Sequence, residues 1–371
     1  MYMSRNRGIF LMMAVITCVL AGAVFQITAS VIIPFTISVF LAFVLNPIAK
    51  FLEKLNIPRI FSILLAVLLI IIALTVVGFV LFASGSTIFG LYPKYEERLI
   101  EIYLWVAGMF EIPYDEGLSF FENLWSQLGV RSQVMAFTFS FSNSFLAFLS
   151  GTGMVVLFVV FLLIEASTVN EKIEIAFKSE RAVQVKKIGA DVVQQVTRYL
   201  SVKFVISLVT GILVAIGFSL AGLEFAVVWG VIQFLLNFIP FIGTAGIGLA
   251  AGLFAILQFW PAPGPIVAVL IAWALPNLIL GFILEPKFMG DSLGLSPIAI
   301  LVALIFWGWI WGFAGAILAV PMMVTTKILC ENIPFLEPVS VLLGSRKAAL
   351  AKEAESHTED THIHTEGSNP F

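Results

Sequence analysis

Charge is what this 371-residue sequence has least of. Asp, Glu, Lys and Arg together make up 12% of it, about half the share of an ordinary soluble domain. So few charges could not cover the surface of a soluble enzyme of this length, which nearly excludes that class. The net charge of -3 and the pI near 5.7 provide no basic field for nucleic acid. Cysteine occurs only as Cys18 and Cys330, each within an apolar run, so no disulfide framework is implied. The three histidines, His357, His362 and His364, all sit in the polar tail, where solvation explains them better than a metal site. No His-Glu-x-x-His pair and no Gly-x-x-x-x-Gly-Lys loop occurs, so neither zinc chemistry nor ATP-driven transport has a motif to stand on. The expectation is a protein that is not an enzyme and holds no cofactor or metal.

Apolar residues are abundant instead. Ala, Val, Ile, Leu, Met, Phe, Trp, Tyr and Cys account for 60% of the chain, Phe alone occurs 35 times, and the mean hydropathy is +1.05. Long uncharged runs read as spanning helices, because a rise of about 1.5 Å per residue needs ~20 residues to cross ~30 Å of hydrocarbon. They are Gly8 to Ser30, Val31 to Ile48, Phe61 to Leu91, Ser144 to Ile164, Leu200 to Gly222 and Ile266 to Leu284. The first, behind Arg5 and Arg7, is too long for a signal peptide and is read as retained.

Lys and Arg mark the cytoplasmic loops. Arg5 and Arg7 place the N-terminus inside, as do Lys50, Lys54 and Arg59 for the second loop. Between Tyr92 and Arg131 three basic residues face seven acidic ones, so that segment is expected outside. Thr168 to Lys203 carries seven basic residues and returns inside, and the C-terminus is expected there too. Within 92–143, Leu99, Ile102, Tyr103 and Val106, then Leu118, Phe121, Leu124, Trp125 and Leu128, keep the spacing of amphipathic helices. The expected segments are 1–91 (N-terminal spans), 92–143 (extracytoplasmic amphipathic module), 144–167 (a span), 168–199 (cytoplasmic helix), 200–343 (a transport region with broken helices) and 344–371 (a disordered tail).

The breaks are the informative part. Phe225 to Ile239 and Ala245 to Trp260 flank Asn237-Phe-Ile-Pro240-Phe-Ile-Gly243-Thr244, and each piece is too short to cross the bilayer. Pro240 lacks an amide hydrogen and obstructs the preceding turn, while Gly243 allows close contacts. A second interrupted element runs from Pro297 to Ile310 and from Phe313 to Leu329, around Trp307-Gly308-Trp309-Ile310-Trp311-Gly312, with Gly315 and Pro321 beyond. Non-helical backbone at membrane depth is tolerated where protein or a water-filled cavity satisfies it. Paired interrupted helices in the two parts of a chain point to a transporter's midplane site. The expected fold is therefore an all-α integral membrane protein, a polytopic bundle of about eight helical elements including two re-entrant hairpins. Ten short spans are the rival arrangement.

The same broken segments carry a resemblance. Asn237-Phe-Ile-Pro-Phe-Ile-Gly243, Glu285-Pro-Lys-Phe-Met-Gly290, Leu293-Gly-Leu-Ser-Pro297 and Trp311-Gly-Phe-Ala-Gly-Ala-Ile-Leu-Ala-Val-Pro321, with Leu45-Asn46-Pro47 upstream, resemble the autoinducer-2 exporter family. It implies a multi-span bacterial inner-membrane transporter, a homo-oligomer, that exports autoinducer-2 or a related small polar solute. Some relatives exchange sodium or lithium for protons, which is the alternative. The family's positions fall on Asn237, Pro240, Gly243, Glu285, Pro286, Gly290, Pro297, Gly312, Gly315 and Pro321. A neutral solute would want Gln233, Asn237, Thr244 and Asn277 beside aromatics such as Trp307 and Trp311. Cation exchange would want a carboxylate, Glu285 or Asp291, and Glu285-Pro286-Lys287 reads as a self-paired entrance. Gly290, Pro297, Gly308, Gly312, Gly315 and Pro321 are expected as structural breaks. A scaffold or receptor is the reading of another class, and interrupted membrane helices count against it.

Overall fold

The computed structural model describes residues 12–13, 16–17, 20, 22–90, 92–109, 151–177, 179–289 and 294–345. Gly290, Asp291, Cys18, the helix expected over Leu118 to Leu128 and the tail beyond Ser345, with its histidines, lie outside the described residues. Among the described residues there is no strand beyond one isolated bridge between Leu295 and Gly344. The helices in chain order are α1 (Ala29–Lys54), α2 (Arg59–Gly90), α3 (Tyr92–Met109), α4 (Gly151–Glu165), α5 (Val169–Ala176), α6 (Ser179–Leu220), α7 (Ala226–Leu236), α8 (Ile242–Phe259), α9 (Pro263–Pro276), a π-helix (Asn277–Leu284), α10 (Glu285–Met289), α11 (Pro297–Glu331) and α12 (Glu337–Leu343).

Six stretches among these are long and apolar enough to cross a membrane, and the molecule is an all-α polytopic membrane protein. The first part of the expected cytoplasmic helix is the separate α5, and from Ser179 on it and the span after it are one continuous helix, α6, of 42 residues, about 63 Å long. Gly222, at φ +77°, stops it. The span before it bends by 64° between α4 and α5.

The chain divides into two compact units, one of Met1–Ile63, Val155–Ser201 and Met289–Phe371, the other of Leu64–Met154 and Val202–Phe288. In the first, Phe40, Val196, Tyr199, Ile310, Trp311, Leu318 and Val324 form the buried core. Ser38 Oγ donates to the Val155 carbonyl at 3.0 Å and Arg59 to the Leu163 carbonyl at 3.1 Å. In the second, Val214, Phe218, Ala251, Ala255 and Val269 form the core. There α6 and α7 cross through small residues: a Cβ on Gly211 would lie 2.7 Å from the Gly230 carbonyl oxygen. Without a hydrophobic drive between helices in lipid, such close backbone approach is what holds them, and it brings their polar side chains within bonding reach.

α11 corrects three of the expected breaks, Gly308, Pro321 and Pro297. Its helix runs through Gly308, and the single non-helical residue is Gly312, at φ +59° and ψ -137°, a conformation essentially confined to glycine. The chain folds back there, since a Cβ on Gly315 would lie 1.9 Å from the Trp307 carbonyl oxygen; eight residues of straight helix would separate those positions by about 12 Å. Gly308 meets only Ala316, 3.9 Å from where its Cβ would be. Pro321 lies buried inside the second limb without interrupting it, and its own carbonyl accepts from the Thr325 hydroxyl at 2.9 Å. Pro297 is a start rather than a break. It occupies the first turn of α11, whose cap is Ser296, accepting from the Ala299 amide at 3.1 Å, the position where a missing N–H does no harm.

Candidate functional site

The first hairpin, α7 and α8, turns over Asn237–Phe241. Pro240 withholds a donor there, and the Ile242 amide reaches back only two residues to the Pro240 carbonyl at 2.7 Å. Phe241 between them has φ +62° and ψ -58°, the rare and strained form of γ-turn. Strain of this kind is held by its surroundings and concentrates at functional sites. Gly243 makes the turn possible: a Cβ there would sit 1.8 Å from the Leu236 carbonyl oxygen.

Buried amides lie in this turn and on the α7 face that leads into it. Gln233 and Asn237, four apart on the α7 face, are 0% and 5% exposed. Asn237 Nδ2 donates to Ser207 Oγ of α6 at 3.0 Å, and the Thr244 hydroxyl donates to Asn237 Oδ1 at 3.4 Å. Gln233 Nε2 donates to Asn277 Oδ1 at 3.1 Å. Gln233 is thus joined to Asn277, and Asn237 to Ser207 and Thr244, two bonded groups four residues apart along the α7 side, with Pro240 and Gly243 shaping the backbone of the turn. Sequence reasoning missed the α6 side: Lys203, Ser207 and Thr210 are all buried. Their spacing of four and three residues inside an apolar run is a legible polar stripe.

Lys203 also corrects the expected entrance. Its ammonium donates to Glu285 Oε1 at 2.7 Å, with the side chains 5% and 19% exposed. Glu285 is therefore paired with α6 and not with its neighbour Lys287, which is exposed on α10. Between Asn277 and Glu285 the backbone is a π-helix of eight residues, a form that usually appears as a single turn and often at functional sites.

Trp307 and Trp311 belong to the other unit. Their rings are 4.9 Å apart, each 6.1 Å from the Phe25 ring, and Trp311 Nε1 donates to the Phe25 carbonyl at 3.2 Å. Just before α11, Gly290-Asp-Ser-Leu-Gly294 spells the Gly-x-Ser-x-Gly spacing. The nucleophile elbow follows a strand, whereas residues 285–289 here are helical, so the spacing carries no catalytic reading.

A further polar cluster lies where α3 meets the turn after α6. The Glu224 carboxylate accepts from both Lys94 and Tyr95, and the Glu224 amide donates to Gln258 Oε1 at 2.8 Å. Burial works to raise the Glu224 carboxyl. The hydrogen bonds from Lys94 and Tyr95 and the Lys94 charge outweigh it and hold the group below the usual carboxylate range. Burial, then the Glu224 bond and charge, push the Tyr95 phenol up.

The sequence model of the AI-2E family transporter matches residues 9–335. This chain belongs to that family. It is a membrane transporter of the multi-pass, bacterial inner-membrane type, in contact with the bilayer and with the small solute it carries. It is 30% identical over 332 residues to a candidate transport protein of Borreliella burgdorferi, covering 89% of each chain. It is 28% identical over 346 residues to the AI-2 transport protein TqsA of Escherichia coli, covering 91% of this chain and 95% of TqsA. It is 29% identical over 339 residues to the E. coli candidate transport protein YhhT, covering 91% and 94%.

Proposed function

We propose that this AI-2E transporter exports a small, neutral, polar organic solute of the autoinducer-2 kind, driven by an ion gradient or by the solute's own gradient. The observation that carries the reading is the pair of buried polar groups beside the strained turn: Gln233 with Asn277, and Asn237 with Thr244, gather the few polar side chains of this apolar region, as a small-ligand site requires. The hairpin of α7 and α8 and the two limbs of α11 are read as re-entrant, with the transport region at 200–343. α7, at 11 residues, reaches only about 16 Å, short of the hydrocarbon thickness. Basic residues in the loops support cytoplasmic termini, and the family resemblance supports a homo-oligomer.

Exchange of sodium or lithium for protons is the second reading, and the position of Lys203 weighs against it. A coupling carboxylate must offer its oxygens to a metal ion, and the Lys203 ammonium already occupies that place at Glu285. The test is the purified protein in vesicles. Autoinducer-2 efflux well above protein-free vesicles is expected, with sodium-driven proton movement at background. Sodium-driven proton movement that disappears in Glu285→Gln or Asp291→Asn, without autoinducer-2 flux, would contradict the reading.

A further inference from the structure

Among the described residues, two buried side-chain polar atoms have no hydrogen-bond partner: the Gln233 amide oxygen and the Trp273 indole nitrogen. The first only accepts and the second only donates. Both belong to residues bonded to Asn277, and that bonding fixes which atoms are left over. Asn277 Nδ2 donates to the Trp273 backbone carbonyl at 2.7 Å, and a carbonyl can only accept. Asn277 Oδ1 must then face Gln233, where it receives Nε2 at 3.1 Å. Turning over the Asn277 amide would set two oxygens against each other, and turning over Gln233 would do the same. The Gln233 oxygen is therefore the atom left open, on a side chain that is 0% exposed.

Trp273 is held as firmly. A Cβ on Gly248 of α8 would come within 2.4 Å of the indole ring, so the ring lies flat against helix backbone that only glycine leaves bare. A large side chain has been seated with its one donor unused, a costly arrangement unless something else bonds to it. One open acceptor and one open donor match hydroxyl groups, which do both.

We propose that Gln233 and Trp273 recognise hydroxyl groups of the transported solute, Gln233 accepting from them and Trp273 donating to them. Asn277 and Gly248 are positioning residues for that pair. The inference rests on the export reading above and adds Trp273 as a residue that selects hydroxylated solutes.

The experiment uses the full chain in vesicles, with autoinducer-2 as probe, and separates KM from maximal rate. Trp273→Phe keeps the ring and removes the donor; it is expected to raise KM at least tenfold with Tm unchanged or higher. Gln233→Met should raise KM similarly. Gly248→Ala, which displaces the ring, should reproduce the Trp273→Phe effect, whereas Gly252→Ala, which meets only a Leu270 methyl at 3.2 Å, should not. KM within twofold of wild type in both Trp273→Phe and Gln233→Met would overturn the proposal and leave the two atoms to bound water. If the wild-type protein carries no autoinducer-2, the export reading fails, and thermal stabilisation by ribose and by glycerol decides the inference instead. Stabilisation lost in both variants supports it; stabilisation absent from wild type, or unchanged in the variants, overturns it.

Discussion

The two helical hairpins use one backbone device and line it differently. In each, a glycine just past the turn presses against a carbonyl from the limb before it, Gly243 against Leu236 and Gly315 against Trp307. The turns themselves diverge. The α11 hairpin turns on Gly312, a residue suited to its conformation, next to a cluster of Trp307, Trp311 and Phe25 in which the Trp311 indole donates to the Phe25 carbonyl. The α7–α8 hairpin forces Phe241 into a region unfavourable to any side chain and has at its turn Asn237, bonded to Ser207 and Thr244. The relaxed aromatic turn is a structural corner; the strained polar one is where, in the reading proposed above, binding chemistry is concentrated.

The shared device is broken most severely by adding a methyl group. Gly243→Ala and Gly315→Ala should each lower stability by about 3 kcal/mol, read as a fall in Tm in detergent, whereas Gly308→Ala should leave Tm nearly unchanged. Equal tolerance of all three would mean that the close approaches are not what shapes the turns. Next in size is the ion pair beside the polar hairpin. Lys203→Met should destabilise by roughly 3 kcal/mol because it strands a part-buried carboxylate, and adding Glu285→Gln should recover much of the loss. A double variant no better than the single would show that the two charges do not act together.

The contrast between the turns is sharpened by a smaller effect. Phe241→Gly removes a strained φ from a side chain that is 57% exposed and should raise stability by about 1 kcal/mol, while Gly312→Ala should lower it. The smallest effect is on pH. Since the Glu224 carboxyl is held below its ordinary value of 4.5, folding favours its ionised form. Its contribution is present above that pH and is lost as the pH falls through the depressed value. Glu224→Gln should flatten the decline in Tm below pH 4.5; an unchanged acid limb would remove Glu224 from the account.

Much of this was legible in the sequence because lipid leaves few alternatives. Apolar runs must be helices, and Pro240 beside Gly243 must break one. The amides Gln233 and Asn237 stood out because polar residues are rare in such runs. What was not legible depended on contacts between distant residues. The reversal falls at Gly312 rather than Gly308, because only Gly312 takes the required dihedrals while Gly308 remains in helix. Pro321 was misread as a break because a proline signals a lost amide but not whether the surrounding helix tolerates it. Lys203 was counted as a loop charge, since nothing in the sequence places it against Glu285 82 residues on. Trp273 was one of eight tryptophans, and only its unused donor distinguishes it.

The most direct measurement concerns water at the strained turn. In a background with Cys18→Ser and Cys330→Ala, Asn237→Cys introduces a thiol whose reaction with a membrane-impermeant methanethiosulfonate can be followed in oriented vesicles. The account expects modification from an aqueous side, slowed by autoinducer-2. A thiol that stays unreactive from both sides in a protein still able to transport would contradict it.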